Sequence, residues 1–202
     1  MSTSDDDRRH AEKMRKVKDA RDRMMAAKTI EKGLLIVHTG KGKGKSTAAF
    51  GMAMRAIGHG MRIGVVQFIK GAIDTGETTV LAQFPEQVTV KRMGEGFTWE
   101  TQDRQRDIAA AEAAWAEAKA MITSGDYDMV VLDELNIALR YDYLDIGAVV
   151  SALKARPEKV HVVVTGRNAK DALIEAADLV TEMTMVKHPF RDGVKPQAGI
   201  EF

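Results

Sequence analysis

Gly33-Leu34-Leu35-Ile36-Val37-His38-Thr39-Gly40-Lys41-Gly42-Lys43-Gly44-Lys45-Ser46-Thr47 decides the fold. Leu34 to Val37 is a short continuous apolar run, suited to a strand buried on both faces of a parallel sheet. Gly40, Gly42 and Gly44 alternate with lysines, and glycine lets the backbone turn successive N–H groups toward one point. Lys45 to Ile57 is helical in pattern and stops at Gly58, so a partly positive helix N-terminus faces the same point. Lys45 supplies a mobile cation and Ser46 a hydroxyl for a metal. Strand, glycine-rich loop and helix together predict a phosphate site spanning Gly40 to Thr47. The spacing departs from a Walker A loop, which places glycine five residues before Gly44, where Thr39 stands. Gly40 comes one residue late and shortens the loop, so the nucleotide need not lie as in a motor ATPase.

Outward from this unit the chain alternates strands and helices. Strands are predicted at Arg62 to Ile69, Val88 to Arg92, Met129 to Leu132, Val160 to Val164 and Leu179 to Val186. Helices are predicted from about Gln102 to Ile122, Ile146 to Ala155 and Ala169 to Ala177, and Gly71 to Thr79 reads as a loop. In the first of these helices Ile108, Ala111, Trp115, Ala118 and Ile122 recur at three and four, which makes Trp115 a core residue. Met52 and Met54 read as packing residues too. Such alternation builds a mostly parallel sheet of about six strands flanked by helices, the RecA-like, P-loop class of α/β domain. No repeat or linker divides residues 33–202.

The 202 residues are 45% hydrophobic and 29% charged, enough for one core without staples. Cys 0 excludes disulfides, thiolate zinc sites and cysteine nucleophiles. A net charge of +1 argues against a globally basic nucleic-acid binder. No apolar run approaches the roughly 18 residues of a membrane span, and the charged opening is no signal segment, so a cytoplasmic location is expected. The near-neutral total is uneven. Residues 1–32 hold ten Lys/Arg against seven Asp/Glu, or +3, which leaves −2 for residues 33–202. The opening is a charged helical arm, capped by Ser4 or one of Asp5 to Asp7 and running to about Ala27. It reads either as a solvated extension or as a flap or dimer-swapped arm closing over a ligand.

The second half of the site is Val130-Val131-Leu132-Asp133-Glu134, an acidic pair at the carboxyl end of a buried strand, where open α/β sheets place ligand groups. Glu134 is the favoured Mg²⁺ ligand with Ser46, and Asp133 supports it or shares the ion. A GTPase would need a guanine-reading Asn-Lys-x-Asp, which is absent, and no Ser/His/Asp order is convincing. His38 and His59 read as ordinary packed or exposed histidines. The residues alone specify an MgATP-binding α/β enzyme with its acceptor open, and a RecA-like ATPase or a binding and delivery protein are the alternatives.

Further segments recur in one order: Val65 to Gly71, Gly96-Phe97-Thr98-Trp99-Glu100-Thr101, Val131 to Leu135, Val164-Thr165-Gly166-Arg167, Val186 to Phe190, Gly193-Val194-Lys195 and Gly199-Ile200-Glu201-Phe202. With Gly33 to Gly60 they resemble the phosphate-loop branch of the ATP:corrinoid adenosyltransferases of cobalamin biosynthesis, over residues 33–202. The resemblance implies transfer of the 5′-deoxyadenosyl group of ATP to Co(I) of a reduced corrinoid, with triphosphate as leaving group. The acceptor would be cobyrinic acid a,c-diamide, cobinamide or cobalamin. It implies triphosphate on Gly40 to Ser46, Lys45 and Glu134 as the catalytic pair, and Arg55 and Arg167 as further nucleotide contacts. Phe97 and Trp99 would lie beside the corrinoid and keep the lower axial position of cobalt empty. An external reductase such as a flavoprotein, a homodimer and an arm folded over the corrinoid are implied as well. Two positions depart from the family: Lys41 stands where Asn is usual, and Ser46 replaces Thr but keeps the hydroxyl.

Overall fold

A computed structural model describes residues 3–68, 75–93 and 103–201. The chain forms two compact units, residues 1–32 and 33–202. The first is a single helix, α1 (Thr3–Ala26), with Asp5 and Asp6 in its first turn and Arg23 in its last, matching the helix dipole. Ion pairs one turn apart, Asp5 with Arg9 and Glu12 with Lys16, support it on an exposed surface.

The second unit runs β1 (Leu35–Thr39), α2 (Lys45–Gly58), β2 (Ile63–Gln67), α3 (Gly76–Leu81), β3 (Val88–Arg92), α4 (Arg104–Thr123) and β4 (Met129–Asp133). It continues through α5 (Leu135–Arg140), α6 (Ile146–Lys154), β5 (His161–Thr165), α7 (Asp171–Ala176), β6 (Leu179–Glu182) and a short 3-10 turn (Pro189–Asp192). The six strands form one parallel sheet in the order β3-β2-β4-β5-β1-β6. β5 therefore lies between β1, which leads into the phosphate loop, and β4, which ends in the acidic pair. The expectation of a P-loop-like α/β domain with a parallel sheet of about six strands holds.

Because side chains alternate along a strand, each central strand feeds two cores. Leu35, Val37, Val130, Leu132, Val162 and Val164 pack with Trp115, Ala118 and Ile122 of α4 and with Leu139 and Leu153. Ile36, Val65, Val131 and Val163 pack on the other face with Ala49, Phe50 and Ala53 of α2. Trp115 is core, as its spacing requires. Asp103 caps α4 by accepting from the N–H groups of Gln105 and Arg106.

The structure corrects several sequence boundaries. Gly71 to Thr79 is not loop throughout, because α3 begins at Gly76 and buries Thr78 and Leu81. That burial overrides the modest helix propensity of the two threonines. The last strand stops at Glu182 instead of Val186. Among the described residues β6 pairs only with β1, and the final rung is Thr39 opposite Glu182, after which β1 turns into the loop. β2 ends at Gln67, level with the last residue of β4. β1 in turn runs past Val37 to Thr39, since His38 and Thr39 are paired with β6. α5 has no counterpart among the expected elements.

Candidate active site

The phosphate loop leaves the carboxyl end of β1 and enters α2. Gly40 and Gly44 take φ of +97° and +104°, backbone that favours glycine. Gly42 is needed for a different reason: a Cβ there would lie 2.6 Å from the Thr184 carbonyl oxygen. Its N–H donates to the Met183 carbonyl at 2.7 Å, and the Met183 N–H donates to Thr39 at 2.9 Å. The loop is thus seated on the chain leaving β6. Lys45 folds back so that its Nζ donates to the Gly42 carbonyl at 2.5 Å, and only 7% of the residue is exposed. Burial pushes its ammonium below the ordinary lysine range, and Arg167 and Lys43 push the same way while Glu134 opposes them.

Asp133 is wholly buried beneath this loop. Its Oδ1 accepts from the Ser46 hydroxyl at 2.7 Å and the Thr165 hydroxyl at 2.8 Å, and its Oδ2 accepts from the Gln67 amide at 3.2 Å. Thr165 in turn accepts the Glu134 N–H at 2.9 Å. One carboxylate therefore ties β2, β4, β5 and the start of α2 together. Ser46 gives its proton to Asp133 and keeps lone pairs for another partner. Glu134 adopts φ +64°, uncommon for a residue with a side chain, as the chain leaves β4. Gly166 on β5's exit takes φ +126°, and a Cβ there would meet Asn136 at 2.8 Å and the Glu134 carboxylate at 3.1 Å. The Asn136 amide donates to the Gly166 carbonyl at 2.9 Å, fixing the peptide that precedes Arg167.

These elements enclose a cavity of about 530 Å³. Gly42 to Thr47, Glu134 and Arg167 line it, so the loop, the acidic residue and the arginine chosen from sequence converge. Gly40 is buried against Met183 and Lys41 is exposed, both outside the lining, and Asp133 stands behind Ser46. Arg55, in the last turn of α2, is exposed and does not reach the cavity wall. Phe97 and Trp99 lie outside the described residues. Met54 is not a packing residue: 53% exposed, it forms part of the wall. Met52 does pack, against the α2-side core.

Sequence reasoning missed Gln67, Thr165, Thr75, Glu77, Val80 and Glu201. Gln67, Thr165 and Glu201 sat inside recognised segments, but the sheet order shows what the first two touch and the fold of the C-terminal turn what Glu201 touches. The cavity offers cations and a helix N-terminus on one side and hard oxygen donors, Ser46 and Glu134, on the other. Among the described residues no group of three or more His, Asp or Glu could hold a metal by itself. Mg²⁺ fits the donor set present as an ion shared with phosphate oxygens and water. Such an arrangement has the charge and the donors to bind and orient a polyphosphate.

Residues 31–202 match the family model described as ATP:corrinoid adenosyltransferase BtuR/CobO/CobP, and residues 1–25 match the model described as cob(I)alamin adenosyltransferase N terminal. The chain is 61% identical to a corrinoid adenosyltransferase of Sinorhizobium sp, over 98% of this chain and 93% of that protein. It is 57% identical to the corrinoid adenosyltransferase of Pseudomonas aeruginosa, over 97% of each. It is 48% identical to the corrinoid adenosyltransferase CobA of Salmonella typhimurium, over 97% of this chain and 99% of that protein. The chain belongs to the ATP:corrinoid adenosyltransferase family.

Proposed function

We propose that the chain transfers the 5′-deoxyadenosyl group of ATP to the Co(I) centre of a reduced corrinoid substrate and releases inorganic triphosphate. The observation that carries the reading is the convergence of Lys45, Ser46, Glu134 and Arg167 on one cavity in a member of this family. Co(I) supplies both electrons of the new cobalt–carbon bond and becomes Co(III). The bond between C5′ and its phosphate oxygen breaks, and that electron pair leaves with the triphosphate. The nucleophile belongs to the substrate, so the protein's part is alignment and stabilisation of the charge that develops on the leaving group.

Lys43, Lys45, Arg167 and the amides at the start of α2 hold the triphosphate, with Lys41 at the rim. Ser46 and Glu134 would hold Mg²⁺, which neutralises phosphate charge, and Asp133 keeps the Ser46 oxygen turned toward it. Phe97 and Trp99 lie beside the corrinoid in this reading. The enzyme works in the cytoplasm as a homodimer supplied by an external reductase such as a flavoprotein. Anaerobic incubation with ATP and chemically reduced cobyrinic acid a,c-diamide, cobinamide or cobalamin should give a light-sensitive adenosylated product and triphosphate. Formation of only ADP and phosphate would reject the proposal.

A further inference from the structure

Gly199-Ile200-Glu201 takes no part in the chemistry above, yet all three residues line the same cavity as the phosphate loop. The Glu201 carboxylate accepts a hydrogen bond from the Lys43 ammonium, in an ion pair between segments distant in sequence. The Glu201 side chain is 18% exposed, against 52% for Lys43. A local turn holds it there: the N–H groups of Ile200 and Glu201 both donate to the Gln197 carbonyl, and Gly199 takes φ +78°. Ile200 is 76% exposed, so little apolar burial resists a swing of this segment. A loop whose lysines suit a polyanion therefore already holds an anion of its own.

We propose that Glu201 is a tethered competitor for Lys43, which sets how tightly the phosphate loop holds triphosphate. In the empty site it neutralises Lys43. An arriving triphosphate displaces it, because two anions beside one ammonium repel each other in a partly desolvated cavity. When the reaction is over it pairs with Lys43 again and weakens the grip on the inorganic product. This inference rests on the proposed function in one respect, that triphosphate occupies the loop.

Calorimetric titration of magnesium triphosphate tests it, using the wild-type chain, Glu201→Gln, Glu77→Gln, Lys43→Gln and the Lys43→Gln/Glu201→Gln double variant. Glu77 is a second carboxylate of the cavity lining and reports the effect of charge alone. Glu201→Gln should bind triphosphate about fivefold more tightly, the scale of one partly exposed ion pair. That gain should shrink to the smaller one shown by Glu77→Gln when Lys43 is Gln. Hydrogen exchange of the 199–201 amides should speed up when triphosphate binds the wild type. Unchanged affinity in Glu201→Gln, an equal gain in Glu77→Gln, an undiminished gain after loss of Lys43, or slower exchange would each overturn the competitor. A wild-type chain that does not bind triphosphate at all would instead refute the proposed function.

Discussion

Lys45 and His38 are both basic groups taken out of water, with different consequences. Lys45 has the Gly42 carbonyl as partner, and the Glu134 carboxylate opposes the lowering of its pKa by burial. Removing it with Lys45→Ala should lower kcat about 10²- to 10³-fold, the range for loss of a preorganised charge-stabilising donor. Steady-state rates with chemically reduced corrinoid would check this. Since burial and Arg167 both hold the Lys45 pKa below the ordinary 10.5, triphosphate affinity should fade on the alkaline side earlier than a free lysine would dictate. Arg167→Gln removes one lowering influence and should move that alkaline limb upward in a pH series of binding titrations. His38 is 6% exposed, neither ring nitrogen has a hydrogen-bond partner among the described residues, and burial lowers its pKa. The unfolded imidazole takes up a proton as pH falls through about 6.5 while the folded one resists, so stability declines below that pH until the lowered folded pKa is passed. His38→Leu should make the acid-side fall of Tm shallower; an unchanged slope would show that other groups cause it.

At the scale of elements, the phosphate loop depends on the chain that follows β6. Gly42→Ala would drive a methyl group into the Thr184 carbonyl, and the backbone there cannot yield without breaking the Gly42 to Met183 hydrogen bond. The expected cost is about 1–3 kcal/mol of stability, as for other overpacked sites, with a matching loss of nucleotide affinity. Thermal unfolding and triphosphate titration on one preparation would measure both. This dependence was not legible in the sequence. β1, β4 and β5 were, because strands buried on both faces are written as unbroken apolar runs. α5 was not, since six residues are too few to establish a helical period. α3 was hidden by threonines that enter a helix only because Thr78 and Leu81 are buried. The loop and the Asp133-Glu134 pair could be read locally, whereas Thr165 and Gln67 acquire their partner Asp133 only through the placing of β4 between β2 and β5.

At the scale of the molecule, the sheet order turns scattered residues into one site. With β5 between β1 and β4, the Thr165 hydroxyl bridges the two acidic residues, and Arg167 arrives just past the same strand end. The near-zero net charge conceals this arrangement: lysines in one loop, an acidic pair at one strand end, and a glutamate from residue 201 returning to the loop. Nothing in that set attacks the substrate, which suits a reaction whose nucleophile is the corrinoid's own cobalt. The most direct test follows the carbon that is claimed to move. ATP isotopically labelled at the 5′ carbon, incubated anaerobically with the enzyme and a Co(I) corrinoid, should give a cobalt-bound labelled carbon by NMR and one equivalent of inorganic triphosphate. Label retained in ADP or AMP, with no cobalt–carbon signal, would contradict adenosyl transfer at this site.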